Sequence, residues 1–299
     1  MSVQTTDPTP VPVPPPSVVV VTAQASLFRR WLHSPSAVAG AVVVGVVVAA
    51  AVVSLFWTPY PPLAVHPSDA LRGASAAHLL GTDQYGRDVL SRVMSGARIS
   101  LYAGVVSVLV AAVVGVPAGL VAAQRGGVAQ QAVLRLADIL YGFPALLAAI
   151  TLSAALGAST TTAMLAIGIA YIPVFTRVTR SNALVVLGSE YVLAARSYGR
   201  RPFAILRRHV LPNIAPTIVI QMTLLFSLAI LAEAGLGYLG LGTPPPAASW
   251  GNMLQEAQNY LGQDPVLSIW PGAAIFLTVL GFSLLGEGLN DMLDPRVRR

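Results

Sequence analysis

The sequence contains no cysteine and no lysine. Without thiols there are no disulfides, no thiolate metal ligands, no iron–sulfur ligation and no cysteine nucleophile. Without lysine, a P-loop would lack the side chain that reaches the β- and γ-phosphates, which argues against an ATPase of that class in this chain alone. Charge is scarce too. Charged residues make up 10% of the 299 positions, against about 25% in a soluble globular domain. The four histidines, His33, His66, His78 and His209, are scattered with no H-E-x-x-H or paired spacing, so no metal site is indicated. No G-x-S-x-G elbow occurs, and no serine–histidine pairing can be argued.

What is present is apolar. Hydrophobic residues account for 55% of the chain, and six spans of roughly 20 residues would need only about 120 positions. All 18 basic residues are arginine and the formal net charge is +6. In so apolar a chain, clustered arginine reads as membrane orientation and a partner surface, with no nucleic acid involved. The expectation is an all-α, polytopic membrane protein with six transmembrane helices lying in a lipid bilayer.

The spans follow from the uncharged runs. Residues 1–36 open with six prolines before Ser17, a composition that cannot bury a core and predicts a disordered cytoplasmic tail. Val18–Val21 has no basic region before it, so the first span, 37–57, is read as uncleaved. Residues 58–98 are polar and proline-rich at their start, an extracytoplasmic segment. Ile99–Ala123 is the second span, and Gln124–Arg135 is read as a polar connection.

From Ile139 to Thr176 there are 38 uncharged residues, about 57 Å as one helix. The hydrocarbon layer is about 30 Å thick, so the run must fold back, and Gly157–Thr162 is the place. That gives span three over Leu136–Leu156 and span four over Thr160–Thr176, with kinks expected at Pro144 and Pro173. Span five is Ile214–Ala232, and Pro265–Gly286 contains span six. Residues 99–289 thus form a five-helix transmembrane domain, and 290–299 a cytoplasmic tail.

Arginine sets the orientation. With both termini cytoplasmic, fourteen arginines fall on inner segments, and four, Arg72, Arg87, Arg92 and Arg98, fall outside. The outer four are nearly neutralised by Asp69, Asp83 and Asp88. The longest inner segment, 177–212, is rich in arginine yet patterned. Ser189 is placed to N-cap a helix Glu190–Tyr198, and Gly199 suits the left-handed position that ends one. Pro202 suits the first turn of a second helix, Pro202–Val210, closed before Pro212. Ala194 and Ala195 flatten one side of the first helix for a partner, with Val192 and Tyr198 as apolar anchors.

These residues resemble a known family. The string E-Y-V-L-A-A-R-S-Y-G at 190–199, with L-P at 211–212, is similar to the EAA loop of bacterial ABC-importer permeases. The flanking strings sharpen the likeness to the second, C-type permease of dipeptide, oligopeptide and nickel systems. They are G-T-D-Q-Y-G-R-D-V-L-S-R at 81–92, R-H-V-L-P-N at 208–213, A-E-A-G-L-G-Y-L-G-L-G at 232–242, P-P-P-A-A-S-W-G-N-M-L at 244–254, and L-D-P-R at 293–296. One departure stands out: the family's glutamate directly before the two alanines is Leu193 here. Glu190, three residues earlier, is not given that glutamate's role, and which residue replaces it is left open.

The resemblance implies a type I ABC-importer permease in the bacterial plasma membrane, half of a heterodimeric pore. Its partners would be a second permease subunit, two cytoplasmic ATPase domains that carry ATP and Mg, and an extracytoplasmic substrate-binding protein. The chain itself would be non-catalytic and hold no cofactor or metal. Glu190, Ala194, Ala195, Gly199, Leu211 and Pro212 would form the loop that couples to the ATPases. Peptides are the first cargo, with nickel chelates and haem-like molecules open. An ion-gradient-driven transporter is the rival, but it calls for midplane charges and inverted repeats that are not evident.

Other candidates carry their own expectations. Gln221 and Asp138 are the candidate translocation-path residues. Asp138, Glu233 and Glu287 lie near predicted span ends, where solvation or pairing with Arg135 or another arginine is expected over proton relay. Asp88 is placed to cap a surface helix Val89–Ala97. Trp250 reads as a membrane-interface anchor, and Gly115 with Gly119 as a helix-packing pair.

Overall fold

The computed structural model describes residues 34–293. Most of the expected proline-rich tail, with Arg29 and Arg30, and the end of the C-terminal tail lie outside them. The described residues form helices and connecting turns with one isolated β-bridge, Thr82 to Asp88. Helix α1 is Pro35–Val53, α2 is Val89–Arg125, α3 is Gly127–Tyr141, α4 is Ala145–Leu156 and α5 is Thr160–Leu187. Then come α6, Glu190–Ser197, and α7, Pro202–Ile205, followed by a π-turn over Leu206–Val210. Helix α8 is Leu211–Tyr238, α9 is Trp250–Gln258 and α10 is Val266–Leu293.

Five helical stretches among these residues are long and apolar enough to cross a membrane, or six crossings if the bent pair α3 and α4 makes one. The protein is an all-α, multi-pass membrane protein. Several helices outrun the expected spans. Helix α2 starts at Val89, so the expected surface helix is its first turns, with Asp88 as its N-cap accepting a hydrogen bond from the Ser91 amide at 2.8 Å. The expected connection Gln124–Arg135 is helical apart from Gly126, whose φ of +61° turns the chain in a single residue. Gly157, at φ +90°, makes the fold-back between α4 and α5, with Ser159 capping α5. Pro173 lies inside α5, which continues past it unbroken.

Span three departs furthest from expectation. It is two helices bent by 81° at Gly142–Pro144, not one kinked helix. Proline both lacks the amide a continuing helix needs and steers Phe143 away from helical angles, so the chain restarts at Ala145.

Small residues set the core. Helices α2 and α5 cross where Gly115 lies against Ile172 and Phe175, and Gly119 against Thr176 and Thr179. A β-carbon at Gly119 would sit 2.5 Å from the Thr176 carbonyl oxygen. With no hydrophobic drive between helices in lipid, this close backbone approach is what packing rests on. Ser107 on α2 adds a hydrogen bond to the Met164 carbonyl at 3.0 Å. Helix α1 seats Gly40 and Ala37 against Gly281 and Gly288 of α10. Trp250 is not an interface anchor: it is 1% exposed, packs on Gly96, and donates its indole N–H to the Val93 carbonyl at 3.0 Å.

Candidate functional site

The segment between α5 and α8 folds as an elbow. Helix α6 ends in a Schellman motif: the Gly199 amide donates to the Arg196 carbonyl at 2.9 Å, and the Arg200 amide to the Ala195 carbonyl at 3.2 Å. Gly199 holds φ +73°, a conformation that costs a side-chain-bearing residue about 1–2 kcal/mol. The other end differs from expectation. Ser189 sits at the cap position, but its hydroxyl donates backwards to the Val186 carbonyl at 2.6 Å and no side-chain cap forms. Glu190 in the first turn and Arg196 in the last complement the helix dipole instead.

The second helix is not closed before Pro212. It passes through the π-turn, where the Leu211 amide donates to the Leu206 carbonyl, directly into α8. Pro212 has no amide to give to the preceding turn, and the wide turn just before it absorbs that gap. Leu211 and Pro212 are therefore the exposed first residues of a spanning helix.

Beneath the elbow lies a second apolar core of Ala123, Ala183, Leu187, Val192, Ile205, Val210 and Ile214. Val192 is fully buried there, so it anchors the elbow to its own chain and is not free for a partner. Tyr191 reinforces this seat by accepting a hydrogen bond from Asn213 of α8 at 3.0 Å. The outward stripe of α6 carries Glu190, Leu193, Ala194 and Ser197, all exposed, with Ala195 half-buried. Tyr198 and Phe203 stand out at 88% and 73% exposure. An open groove of about 550 Å³ runs between the elbow and the end of α2, lined by Val121, Gln124, Arg125, Arg196, Arg200 and Phe203 among others.

The two candidate path residues are separate from the elbow. Gln221 is half-buried on α8, nine residues beyond Pro212, about 13 Å along the axis. Asp138 on α3 pairs with Arg177 of α5 at 2.7 Å, not with Arg135, and Arg177 also lies 4.4 Å over the Tyr141 ring. Glu287 is exposed. Glu233 overturns its expectation: it is 1% exposed with no arginine partner among the described residues, and its carboxyl accepts from Ser100 of α2 at 2.9 Å.

Around the start of α2, a second constellation was not apparent from the sequence. Asp83 accepts from the Arg87 side chain at 2.5 Å and from its amide at 3.0 Å. Glu256 of α9 accepts from Arg87 at 2.6 Å and from Arg92 at 2.9 Å. Gln84 adds a contact to the same carboxyl at 3.4 Å. The group clamps the segment that precedes α2, and the start of α2 itself, onto α9. Asp88 is spent on its cap and on His78, at 2.9 Å, so Glu256 supplies the neutralisation that Asp88 was expected to share. No cluster of histidine, aspartate and glutamate fit for a metal ion occurs among the described residues.

Residues 115–299 match the model of the family described as binding-protein-dependent transport system inner membrane component. The chain is 40% identical over 280 residues to the glutathione transport system permease protein GsiD of Pectobacterium atrosepticum, covering 93% of each. It is 36% identical to the dipeptide transport system permease protein DppC of Alkalihalophilus pseudofirmus, covering 91% of this chain and 89% of that one. It is 39% identical to the probable D,D-dipeptide transport system permease protein DdpC of Escherichia coli, covering 88% of each. The fold is similar to that of a chain of the MetNI methionine ABC transporter solved in inward-facing conformations. The TM-score is 0.56 at 18% identity, with 68% of this chain and 96% of that chain covered. The chain therefore belongs to the binding-protein-dependent transport family, as a multi-pass inner-membrane permease subunit with the type I ABC-importer fold.

Proposed function

We propose that this permease forms half of a pore for dipeptides and other short peptides, and that its elbow receives the power stroke of separate cytoplasmic ATPases. The relatives named above as dipeptide, D,D-dipeptide and glutathione permeases all carry peptides by name, which supports the cargo class. A second permease would complete the pore, and an extracytoplasmic binding protein would deliver the cargo. ATP and Mg would be held by the ATPases, leaving this chain without catalysis or cofactor of its own.

The observation that carries the coupling role is the elbow's rigidity. A helix closed by a Schellman motif, pinned by buried Val192 and tied by Tyr191 to α8, transmits displacement where a loose loop would dissipate it. Because α8 follows without a break, a push on α6 and α7 reaches a spanning helix directly. Nucleotide state then biases the spans between inward- and outward-open arrangements through differential contacts on the elbow.

The test is uptake of a labelled dipeptide by vesicles holding the complete transporter. Uptake should require hydrolysable ATP and survive an uncoupler. Uptake that outlasts inactivation of the ATPases and collapses with the uncoupler would overturn the reading in favour of an ion-driven carrier.

A further inference from the structure

We infer that the elbow docks onto an acidic rim of its ATPase, which presents carboxylates to Arg125, Arg196 and Arg200. This rests on the coupling role proposed above and names the chemistry of the partner surface. Segment 177–212 carries seven arginines and a single acid, Glu190. Where the resembled family has a glutamate before the paired alanines, the outward stripe presents Leu193, 49% exposed. The permease side therefore offers cations and carbon, and the opposite charge must come from what it meets.

The geometry concentrates those cations. Arg125 from the last turn of α2 converges with Arg196 and Arg200 on the 550 Å³ groove. A second groove of about 410 Å³ shares Arg200 and Phe203 and adds Arg207 and Arg208. None of these five arginines forms an ion pair among the described residues, whereas Arg72, Arg87, Arg92 and Arg177 all do. Like charges gathered on one surface repel one another until an opposite surface neutralises them, and such a surface also steers the partner's approach.

Lipid headgroups are the other anionic surface nearby, but the elbow stands away from them. Arg177 is the first charge on α5 after its apolar run, and α5 continues to Leu187, ten residues and about 15 Å farther. The headgroup layer adds only about 5–8 Å on each side of the hydrocarbon. By that measure the tip of the elbow, with Arg196 and Arg200, lies beyond the headgroups and within reach of a protein partner, while Arg125, the first charge after the apolar run of α2, sits nearer the lipid.

The experiment uses the complete transporter reconstituted in vesicles, with ATPase retention measured across a salt series. Because this chain lacks cysteine, Ala194→Cys gives it a single thiol for cross-linking to the ATPase. Retention should fall about tenfold between low salt and about 1 M, where the Debye length is near 3 Å. Arg196→Glu with Arg200→Glu should cause a similar loss at low salt and flatten the salt dependence, equally in phosphatidylcholine and phosphatidylglycerol vesicles. Co-purification with the second permease reports folding, and Arg196→Gln with Arg200→Gln is the milder arm. A native complex whose retention ignores salt, or variants that bind as the native does, would overturn the inference while the cross-link still forms. An effect confined to phosphatidylglycerol vesicles would give the arginines to headgroups instead. Loss of the cross-link in the otherwise native protein would strike the coupling role itself.

Discussion

Arginine is used in opposite ways at the two ends of this molecule. At the start of α2 Arg87 and Arg92 are buried, and Asp83 and Glu256 share them at 2.5–3.4 Å. On the elbow Arg196, Arg200, Arg207 and Arg208 are exposed and have no acidic partner among the described residues. A buried guanidinium is tolerable only when its charge is matched, and the two carboxylates of Asp83 and Glu256 match the two arginines within this chain, although Nη1 of Arg92 has no hydrogen-bond partner among the described residues. The elbow is left electrostatically incomplete. The contrast separates a structural clamp from the surface proposed to dock the ATPase.

The sharpest way to break that contrast is to remove the acid at the centre of the clamp. Glu256→Ala leaves two buried arginines to share the single carboxylate of Asp83, and breaking such a group by deleting one partner costs about 3–5 kcal/mol. The thermal midpoint of the purified protein should fall by about 6 °C or more. Arg200→Gln on the elbow should leave the midpoint within about 1 °C of the native value, since surface substitutions rarely exceed about 0.5 kcal/mol. Equal losses in the two variants would erase the distinction between clamp and docking surface.

A smaller thermodynamic effect with a larger functional one is expected at Gly199. Valine there must adopt φ near +73°, at a cost of about 1–2 kcal/mol confined to the elbow. Membrane insertion should be intact and peptide-stimulated ATP hydrolysis lost in reconstituted complexes, with Gly199→Ala falling between. Normal stimulation by the valine variant would detach the elbow's geometry from coupling.

The two regions were unequally legible from sequence, for physical reasons. The elbow is local: Gly199 and Pro202 act on their own turns, so its helices could be read from a dozen consecutive residues. What could not be read there was facing. Val192 and Tyr198 are both apolar candidates, and only the packing of α2, α5 and α8 buries the first and exposes the second. The clamp is non-local, since Arg87 and Arg92 meet Glu256 across 169 and 164 residues. An excess of outer arginine was its only visible trace. Trp250 misled for the same reason, because nothing near it in sequence announces Gly96 as its seat. The spans themselves were plain as uncharged runs. The 81° bend was only half plain, since Pro144 marks a break without saying how far the chain turns.

Between clamp and elbow in character lies Asp138 with Arg177, and it is expected to give the smallest effect. The pair is short, at 2.7 Å, but the two side chains are 63% and 41% exposed, so water and salt screen it. Exposed pairs contribute about 0–1 kcal/mol, and Arg177 keeps its contact with the Tyr141 ring when the charge is gone. Asp138→Asn should therefore shift stability by about 0.5 kcal/mol and leave peptide uptake within about twofold of native. The informative outcome is a dissociation between those two readouts. Uptake lost with stability and ATPase coupling intact would mean the carboxylate meets cargo where α3 and α5 approach, just below the bend in span three. Arginine would then have a third use in this chain, holding an acid in place until a peptide displaces it.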